Sequence, residues 1–214
     1  MERGRFITFE GPEGSGKTTQ ANRLMTRLQE KGFTVLYTRE PGGTRTGEAI
    51  RGILQYNKAE EPIVDACEVL LFAASRAQLV QRVIIPALEQ GTWVISDRFM
   101  DSTTVYQGYG RGFEVDKLLA INAFAVQEAV PDLTLLLDVD VELGFQRLTE
   151  RLLRNGGKKD RIELEDREFH ERVRSGYLNL AKRWPERFTT IAGAGKTEDV
   201  TEQVWECVAR EFNL

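Results

Sequence analysis

The sequence Gly11-Pro12-Glu13-Gly14-Ser15-Gly16-Lys17-Thr18 decides the fold of this chain. It matches the pattern G-x-x-x-x-G-K-[ST] without a gap, and loops of this pattern bind the phosphates of a nucleoside triphosphate. Its glycines permit backbone angles that are closed to other residues, so that successive N–H groups turn inward onto an anion. We expect Lys17 to reach the outer phosphates and Thr18 to bind the magnesium ion.

The segments on either side of the loop support this interpretation. Arg5-Phe6-Ile7-Thr8-Phe9 is typical of a short strand that leads into the loop, and the amphipathic stretch after the loop is typical of a helix. The N-terminal end of a helix dipole attracts anions. The alternative is a glycine-rich turn without a ligand, which the strand-loop-helix context disfavours. The loop residues expected to bind the nucleoside triphosphate are Gly11, Pro12, Glu13, Gly14, Ser15, Gly16, Lys17, Thr18 and Thr19, and Arg147 of the basic segment described below is expected to contact it as well.

Length and composition are those of a small enzyme with one core. The chain has 214 residues, 41% of them hydrophobic, and a net charge of −4. This charge gives no general attraction to nucleic acid or to an anionic membrane, so we expect neither as a partner. Cys67 and Cys207 lie outside any metal-binding spacing, and we expect two reduced thiols that face the core. The sequence lacks an apolar signal segment, which predicts a cytoplasmic protein.

Apolar, strand-like runs alternate with longer helical patterns along the chain. After the opening strand, the runs cover residues 33–38, 93–96, 133–139 and 188–191, and the helical patterns cover 17–31, 45–55, 63–89, 115–129, 141–153, 163–183 and 198–212. This alternation predicts an α/β fold, in which helices cover both faces of a five-stranded parallel sheet. Pro86 predicts a bend or break near Ile85. Ligands of such sheets bind at the carboxyl ends of the strands.

Two short motifs follow predicted strands. Thr38-Arg39-Glu40-Pro41-Gly42-Gly43-Thr44 contains a proline and two glycines that predict a tight turn, which by itself does not separate a binding loop from an ordinary one. Asp97 and Arg98 follow the third strand. The Asp97 carboxylate suits magnesium held through water, as the acidic partner of Thr18, and the Arg98 guanidinium suits a phosphate. The alternative is a surface ion pair at a strand end.

Phe72 and Arg76 lie four residues apart and therefore share one helical face. An aromatic ring beside a guanidinium suits a nucleotide base, which would stack on the ring and accept a hydrogen bond from the guanidinium. The spacing of Phe72 among apolar neighbours also fits a core residue. Arg76 favours the binding site, because an arginine that faces inward needs an acceptor.

Residues 147–161 form a basic segment in which six basic residues accompany two acidic ones. Asn155-Gly156-Gly157 interrupts the helical pattern there, as expected for a hinged lid. Cations on a closing lid neutralise charge on a transferred phosphoryl group. The alternative is a solvated, charged helix end. The basic residues are Arg147, Arg151, Arg154, Lys158, Lys159 and Arg161.

Taken in order, these motifs closely resemble those of bacterial thymidylate kinases. The similarity covers nearly the whole chain, and it is seen in residues 9–19, 38–44, 97–99, 106–108 and 110–112. Its most specific part is the Arg-Glu-Pro-Gly-Gly-Thr segment after the second strand. The resemblance implies a single kinase domain over residues 1–214, with the three-layer fold of P-loop nucleoside monophosphate kinases and a lid near 147–161. It also implies transfer of a phosphoryl group from ATP to thymidine 5′-monophosphate (dTMP), with magnesium, by a homodimer.

The resemblance further implies roles for individual residues. Thr18 and Asp97 would hold the metal, and Glu13 would face the sugar hydroxyl of the acceptor. The loop lacks a basic residue between Pro12 and Ser15, so the chain resembles the group of the family in which a lid arginine assists catalysis. The catalytic residues would be Lys17, Glu13, Arg98, Arg151 and Arg154, with Arg147 and Arg161 as further lid candidates. The residues that bind dTMP would be Glu13, Arg39, Pro41, Phe72, Arg76, Arg98, Ser102, Thr103, Tyr106 and Gln107.

Several other interpretations are open at this point. A deoxynucleoside kinase would share the loop but would bind a neutral acceptor and gain little from Arg98. Another nucleoside monophosphate kinase, for adenylate or guanylate, is nearer in class, and Phe72, Arg76 and the Arg-Glu-Pro turn argue against it only through the resemblance. A GTP-operated switch would need Asn-Lys-x-Asp, for which residues 57–60 are the closest match and end in glutamate. Gly193-Ala194-Gly195-Lys196-Thr197 is not a second phosphate loop, because its first glycine is missing, and we assign it to the donor base. We expect His170 to be a surface residue.

Overall fold

The computed structural model describes residues 3–56, 61–156 and 159–214. Its centre is a five-stranded parallel sheet with the strand order β2-β3-β1-β4-β5. The strands are β1 Phe6–Glu10, β2 Val35–Arg39, β3 Trp93–Asp97, β4 Leu133–Asp138 and β5 Phe188–Ala192. Strands β1 and β3 are buried along their whole length, which explains their continuous apolar runs. The predicted five-stranded parallel sheet is confirmed.

Helices cover both faces of the sheet, as predicted. They are α1 Lys17–Glu30, α2 Arg45–Tyr56, α3 Asp65–Leu79, α4 Ile85–Glu89, α5 Met100–Thr103, α6 Val115–Val126, α7 Val141–Asn155, α8 Arg167–Arg183 and α9 Thr197–Phe212. On one face, α1 and α9 pack on Ile7 and Phe9 of β1. On the other face, the region around α4 and the end of α6 pack on Phe6, and α8 packs on Leu136 of β4.

The helical run that contains Pro86 does not break. Its winding widens to π-helical turns over Val80–Ile84, and α-helix resumes at Ile85. The irregularity predicted near Ile85 is therefore a widened turn just before the proline, where a residue without an N–H group is tolerated. Asp65–Glu89 is long and apolar enough to cross a membrane by length and composition, with a mean hydropathy of 1.3, but the core helix of a soluble protein passes the same test.

Two differences from the predicted elements affect the site. Helix α5 and the π-helical turns Thr104–Gly110 that follow it were not predicted. Helix α8 begins at Arg167 and not near 163, because the side chain of Asp166 caps it by accepting a hydrogen bond from the Phe169 N–H at 2.7 Å. The Asn-Lys-Ala-Glu string at 57–60 and lid residues 157–158 lie outside the described residues.

Candidate active site

A cavity of about 1040 Å³ opens where β1, β2, β3 and β5 end. This volume reaches the upper end of the ~300–1,000 Å³ typical of a site for one small ligand, so it has room for two substrates. Most of the residues predicted for the site line it: Glu13, Gly14, Ser15, Gly16, Lys17, Thr18, Thr19, Arg39, Pro41, Phe72, Arg76, Asp97, Arg98, Ser102, Thr103, Tyr106, Gln107, Arg147, Arg151 and Arg154. Gly11 and Pro12 contribute only their carbonyl groups, to the bonds described next.

The phosphate loop connects β1 to α1 and surrounds the Lys17 ammonium. Lys17 Nζ donates to the carbonyl oxygens of Gly11 at 3.0 Å and Pro12 at 2.8 Å, and to Ser15 Oγ at 3.2 Å. Burial, and then the neighbouring Arg98, lower the pKa of Lys17 to about 8. Gly14 has a φ of +70°, and a Cβ there would lie 2.2 Å from the carbonyl oxygen of Gly144. Only glycine fits this close approach to α7.

Thr18 and Asp97 meet at the mouth of the loop. The Thr18 hydroxyl donates to Asp97 Oδ2. The parallel register places Asp97 beside Phe9 of β1, which lies two residues before the loop begins at Gly11. Hydroxyl and carboxylate oxygens suit Mg²⁺. Within the described ranges there is no cluster of three or more His, Cys, Asp or Glu that would hold a metal alone, so phosphates and water would complete the coordination of an ion at this pair.

Arg98 lies between the loop and the rest of the cavity. Its Nη1 donates to the Gly11 carbonyl oxygen at 3.3 Å, and its Nη2 pairs with Glu13 Oε1. Tyr106 donates its hydroxyl hydrogen to the same Glu13 oxygen at 2.9 Å. Burial alone would raise the pKa of Glu13, but Arg98 and then Lys17 lower it to about 2. Glu13 is therefore a carboxylate at any working pH, and it holds Arg98 against the phosphate loop.

Phe72 and Arg76 both line the cavity wall on α3. Arg76 is 1% exposed and has the acceptor that the sequence required, because Glu40 Oε2 accepts from its Nε at 2.9 Å and from its Nη2 at 2.6 Å. Asn122 Oδ1 accepts from Nη1 at 2.7 Å, and Thr103 Oγ1 accepts from Nη2 at 2.8 Å. Among the described residues, these bonds leave one of the Nη1–H groups for a further acceptor in the cavity.

The remaining residues predicted to bind dTMP are placed by different elements, and some of them already have partners within the protein. Ser102, Thr103, Tyr106 and Gln107 are placed by α5 and the π-helical turns after it. Gln107 donates to Glu68 Oε1 at 2.8 Å. Arg39 pairs with Glu48 at 3.1 Å, so its guanidinium already has a partner at the cavity edge.

The lid arginines divide into three environments. Arg147 Nη1 donates to the Gly193 carbonyl oxygen at 2.9 Å, which ties α7 to the loop after β5. Arg151 pairs with Glu163, whereas Arg154 is largely exposed, with Glu150 at 3.8 Å. Helix α7 ends at Gly156, whose φ of +63° fits the predicted interruption.

Arg161 was a further lid candidate, but it does not line the cavity. It pairs with Glu68 and donates to the Leu54 carbonyl oxygen at 3.1 Å. These bonds fix the base of the lid to α2 and α3, and they leave Arg151 and Arg154 as the candidates to meet a phosphate.

Two predictions about single residues are wrong. His170 was expected on the surface but is 2% exposed, because its ring packs against Phe145 at 4.9 Å and Phe169 at 5.4 Å between ring centroids. Burial lowers its pKa, so the ring stays neutral. Cys67 was expected in the core but lies exposed on the outer face of α3, whereas Cys207 packs partly against the α1 and α9 core.

Sequence reasoning missed several residues that line the cavity. Tyr37 and Glu163 are examples, together with Arg51 of α2, which donates to the Pro41 carbonyl oxygen at 2.9 Å. Tyr37 sits in an apolar strand and resembles a core residue in sequence. Glu163 follows the basic lid segment, and its charge was the available signal. Gly193 and Gly195 also line the cavity, as expected for the segment assigned to the donor base.

Comparisons with known proteins agree with one another. The family model "Thymidylate kinase" matches residues 9–204. The chain is 48% identical to the thymidylate kinase of Pelobacter propionicus over 94% of this chain and 92% of that protein. It is 52% identical to the thymidylate kinase of Pelotomaculum thermopropionicum over 88% and 85%, respectively. The crystal structure of thymidylate kinase from Ehrlichia chaffeensis is similar with a TM-score of 0.76 and 34% identity, covering 96% of this chain and 99% of that one.

Proposed function

This chain belongs to the thymidylate kinase family, and from that premise we propose how its residues carry out the reaction. The enzyme transfers the γ-phosphoryl group of ATP to dTMP and releases dTDP and ADP. One observation carries the assignment of residues to the two substrates. Lys17 Nζ and Arg98 Nη1 donate to the same atom, the carbonyl oxygen of Gly11, at 3.0 and 3.3 Å. A donor phosphate on Lys17 and an acceptor phosphate on Arg98 would therefore be neighbours.

On the donor side, the backbone N–H groups of the loop and Lys17 bind the outer phosphates. Thr18 and Asp97 would hold Mg²⁺, and a bound ion would supply positive charge beside the phosphates. The segment around Gly193, tied to α7 by Arg147, takes the adenine. An acceptor phosphate is ionised at neutral pH and needs no strong base, so catalysis here consists of alignment and charge neutralisation.

On the acceptor side, Phe72 stacks on thymine and the remaining Nη1–H of Arg76 donates to a carbonyl oxygen of the base. Support comes from the position of both side chains on the cavity wall and from the bonds to Glu40 that orient the guanidinium. Arg98 binds the 5′-phosphate, and Glu13 and Tyr106 face the sugar. Ser102, Thr103, Gln107, Arg39 and Pro41 complete this pocket.

The segment near 147–161 acts as a lid that brings a cation to the γ-phosphate. Arg151 and Arg154 are the candidates, because both line the cavity while Arg161 is bonded to Glu68. In this account Glu163 holds Arg151 beside the cavity until a phosphate competes for it. We assign the chain as one kinase domain with this lid.

We also propose that the enzyme is a cytoplasmic homodimer. Helices α3 and α6 pack together, and each carries an exposed apolar side chain: Leu70 of α3 is 60% exposed and Phe124 of α6 is 84% exposed. The hydrogen bond between Gln81 and Gln127 joins the π-helical turns that follow α3 to the residue that follows α6. A second copy of the chain packed on α3 and α6 would remove these apolar side chains from water. Free cysteines and nucleotide substrates are typical of the cytoplasm.

A coupled assay of ADP release tests the function. ATP and magnesium are supplied with dTMP, dUMP, AMP, GMP, CMP or thymidine in separate reactions. We expect strong turnover with dTMP. Preferred turnover of thymidine would contradict the role of Arg98, and preferred turnover of AMP or GMP would contradict the assignment of Phe72 and Arg76 to thymine.

A further inference from the structure

Arg98 has a backbone conformation that is unusual for its residue type. Its φ is +69°, in the left-handed region that favours glycine. A side chain with a Cβ persists in this region when the surrounding structure fixes it, and such residues cluster at functional sites. Arg98 begins a turn that continues through Ser102. The Arg98 N–H donates to the Phe9 carbonyl oxygen of β1 at 2.9 Å, and this bond fixes the first residue of the turn but not the residues that follow it.

The continuation of this turn is fixed by Glu10. Glu10 is the last residue of β1, is 0% exposed and does not line the cavity. Its Oε1 accepts from the backbone N–H groups of Phe99 at 2.8 Å and Ser102 at 3.2 Å. Both donors lie in the four residues that follow Arg98, so one carboxylate oxygen holds the backbone in the shape that the φ of Arg98 requires.

The second oxygen of Glu10 acts on the side chain of Arg98. Ser102 Oγ and Tyr177 OH lie 2.6 and 2.9 Å from Glu10 Oε2. Burial, and then the neighbouring Asp101, raise the pKa of Glu10 to about 7, so above that pH the group is mostly a carboxylate, which only accepts hydrogen bonds. Both hydroxyls then point their hydrogens toward Glu10, and their oxygens lie 2.8 Å from each other. The same two hydroxyl oxygens lie 3.4 Å from Arg98 Nη1 and are left to accept from the guanidinium.

We propose that Glu10 is a positioning residue for the acceptor phosphate, because it holds both the strained backbone and the guanidinium of Arg98 in the phosphate-binding arrangement. Glu10 touches neither substrate in this account. Its role depends on the proposed role of Arg98 as the ligand of the dTMP phosphate, so Arg98→Ala is measured alongside.

The test compares the steady-state KM values for dTMP and for ATP between the native enzyme and Glu10→Gln at about pH 8.5, where Glu10 is ionised. Glutamine has the same shape, and its carbonyl oxygen still accepts from the two N–H groups. Its NH₂ group faces Ser102 and Tyr177 as a donor, which reverses the orientation of both hydroxyls. We expect KM for dTMP to rise about tenfold, the effect of one lost charge-assisted bond, while KM for ATP changes less than about twofold.

Asp132→Asn is the matched control. The Asp132 carboxylate also accepts a hydrogen bond from a backbone N–H, that of Phe6 at 2.6 Å, but Asp132 precedes β4 at the end of the sheet opposite the cavity. This variant should lower the melting temperature and leave KM for dTMP unchanged. Tyr177→Phe serves if Glu10→Gln does not fold, since it removes only one of the hydroxyls, and a smaller rise in KM for dTMP is expected.

The outcomes separate the two assignments. If Arg98→Ala raises KM for dTMP but Glu10→Gln and Tyr177→Phe do not, the positioning role of Glu10 is wrong and the function of Arg98 stands. If Asp132→Asn raises KM for dTMP as much as Glu10→Gln does, the effect is general destabilisation and the positioning role is also wrong. If Arg98→Ala leaves KM for dTMP unchanged, both assignments fail.

Discussion

Binding of a nucleotide should change the protonation of Lys17. Burial and Arg98 lower the pKa of this ammonium to about 8 in the structure, where Nζ donates hydrogen bonds to two loop carbonyls and a hydroxyl. Donor phosphates bring negative charge to Nζ, and an opposite charge favours the protonated form. The pKa of Lys17 should therefore return toward the ordinary value of about 10.5, and the complex should take up protons from the buffer.

The size of this uptake follows from the two pKa values. With a pKa of about 8 in the free enzyme, Lys17 is about nine-tenths protonated at pH 7, half at pH 8 and one-tenth at pH 9. If the bound form stays almost fully protonated, binding takes up about 0.1 proton at pH 7, about 0.5 at pH 8 and about 0.9 at pH 9. The uptake thus grows as the pH rises through the pKa of the free enzyme.

Isothermal titration calorimetry measures this uptake. ADP with magnesium is titrated into the enzyme without dTMP, in pairs of buffers that differ in ionisation enthalpy. Lys17→Met is the control, and its uptake should be near zero at all three pH values. An uptake in the native enzyme that is constant from pH 7 to 9, or one that persists in Lys17→Met, would refute the assignment of the titrating group to Lys17.

Further predictions concern single substitutions. Lys17→Ala should stay folded, and its kcat should fall about 10²-fold to 10³-fold or more, because a side chain that binds the transferred phosphate acts mainly on the transition state. Near-normal turnover would contradict the role of the loop. Arg76→Ala should raise KM for dTMP about tenfold and destabilise the protein by about 3–5 kcal/mol, since Glu40 loses its partner in the interior; KM and a thermal melt check this. Arg151→Ala should lower kcat far more than affinity for ATP, by about 10³-fold if it is the arginine that meets the phosphate, and a defect in binding alone would argue against a catalytic lid. Phe124→Glu should shift a dimer to a monomer in sedimentation analysis, and an unchanged mass would exclude this surface as the interface.

Features that depend on neighbouring residues could be predicted from the sequence. The loop, its glycines and the strand before it follow from local backbone requirements, and the alternation of apolar runs with helical patterns predicted the sheet. The combination of these motifs with the Arg-Glu-Pro turn identified the family. An inward-facing arginine needs an acceptor, but for Arg76 the protein supplies it as Glu40, so this need alone did not separate a base pocket from an internal ion pair.

Features that depend on distant residues could not be predicted. Arg161 resembles the other lid arginines in sequence, and its partner Glu68 lies 93 residues away. His170 is polar and lies in a charged helix, and only the packing of α7 on α8 buries it beside Phe145. The π-helical turns after α5 contain two glycines and polar residues, so their pattern did not indicate a helix, although they carry Tyr106 and Gln107.

We propose that Lys17 and Arg98 hold the two reacting phosphates on either side of the Gly11 carbonyl. A crystal structure of the enzyme with ADP, magnesium and dTMP tests this arrangement. We expect the dTMP phosphate within hydrogen-bond distance of the Arg98 guanidinium, about 3 Å, and the β-phosphate of ADP equally close to Lys17 Nζ. A dTMP phosphate bound by other cations, with Arg98 still paired only to Glu13, would contradict the account.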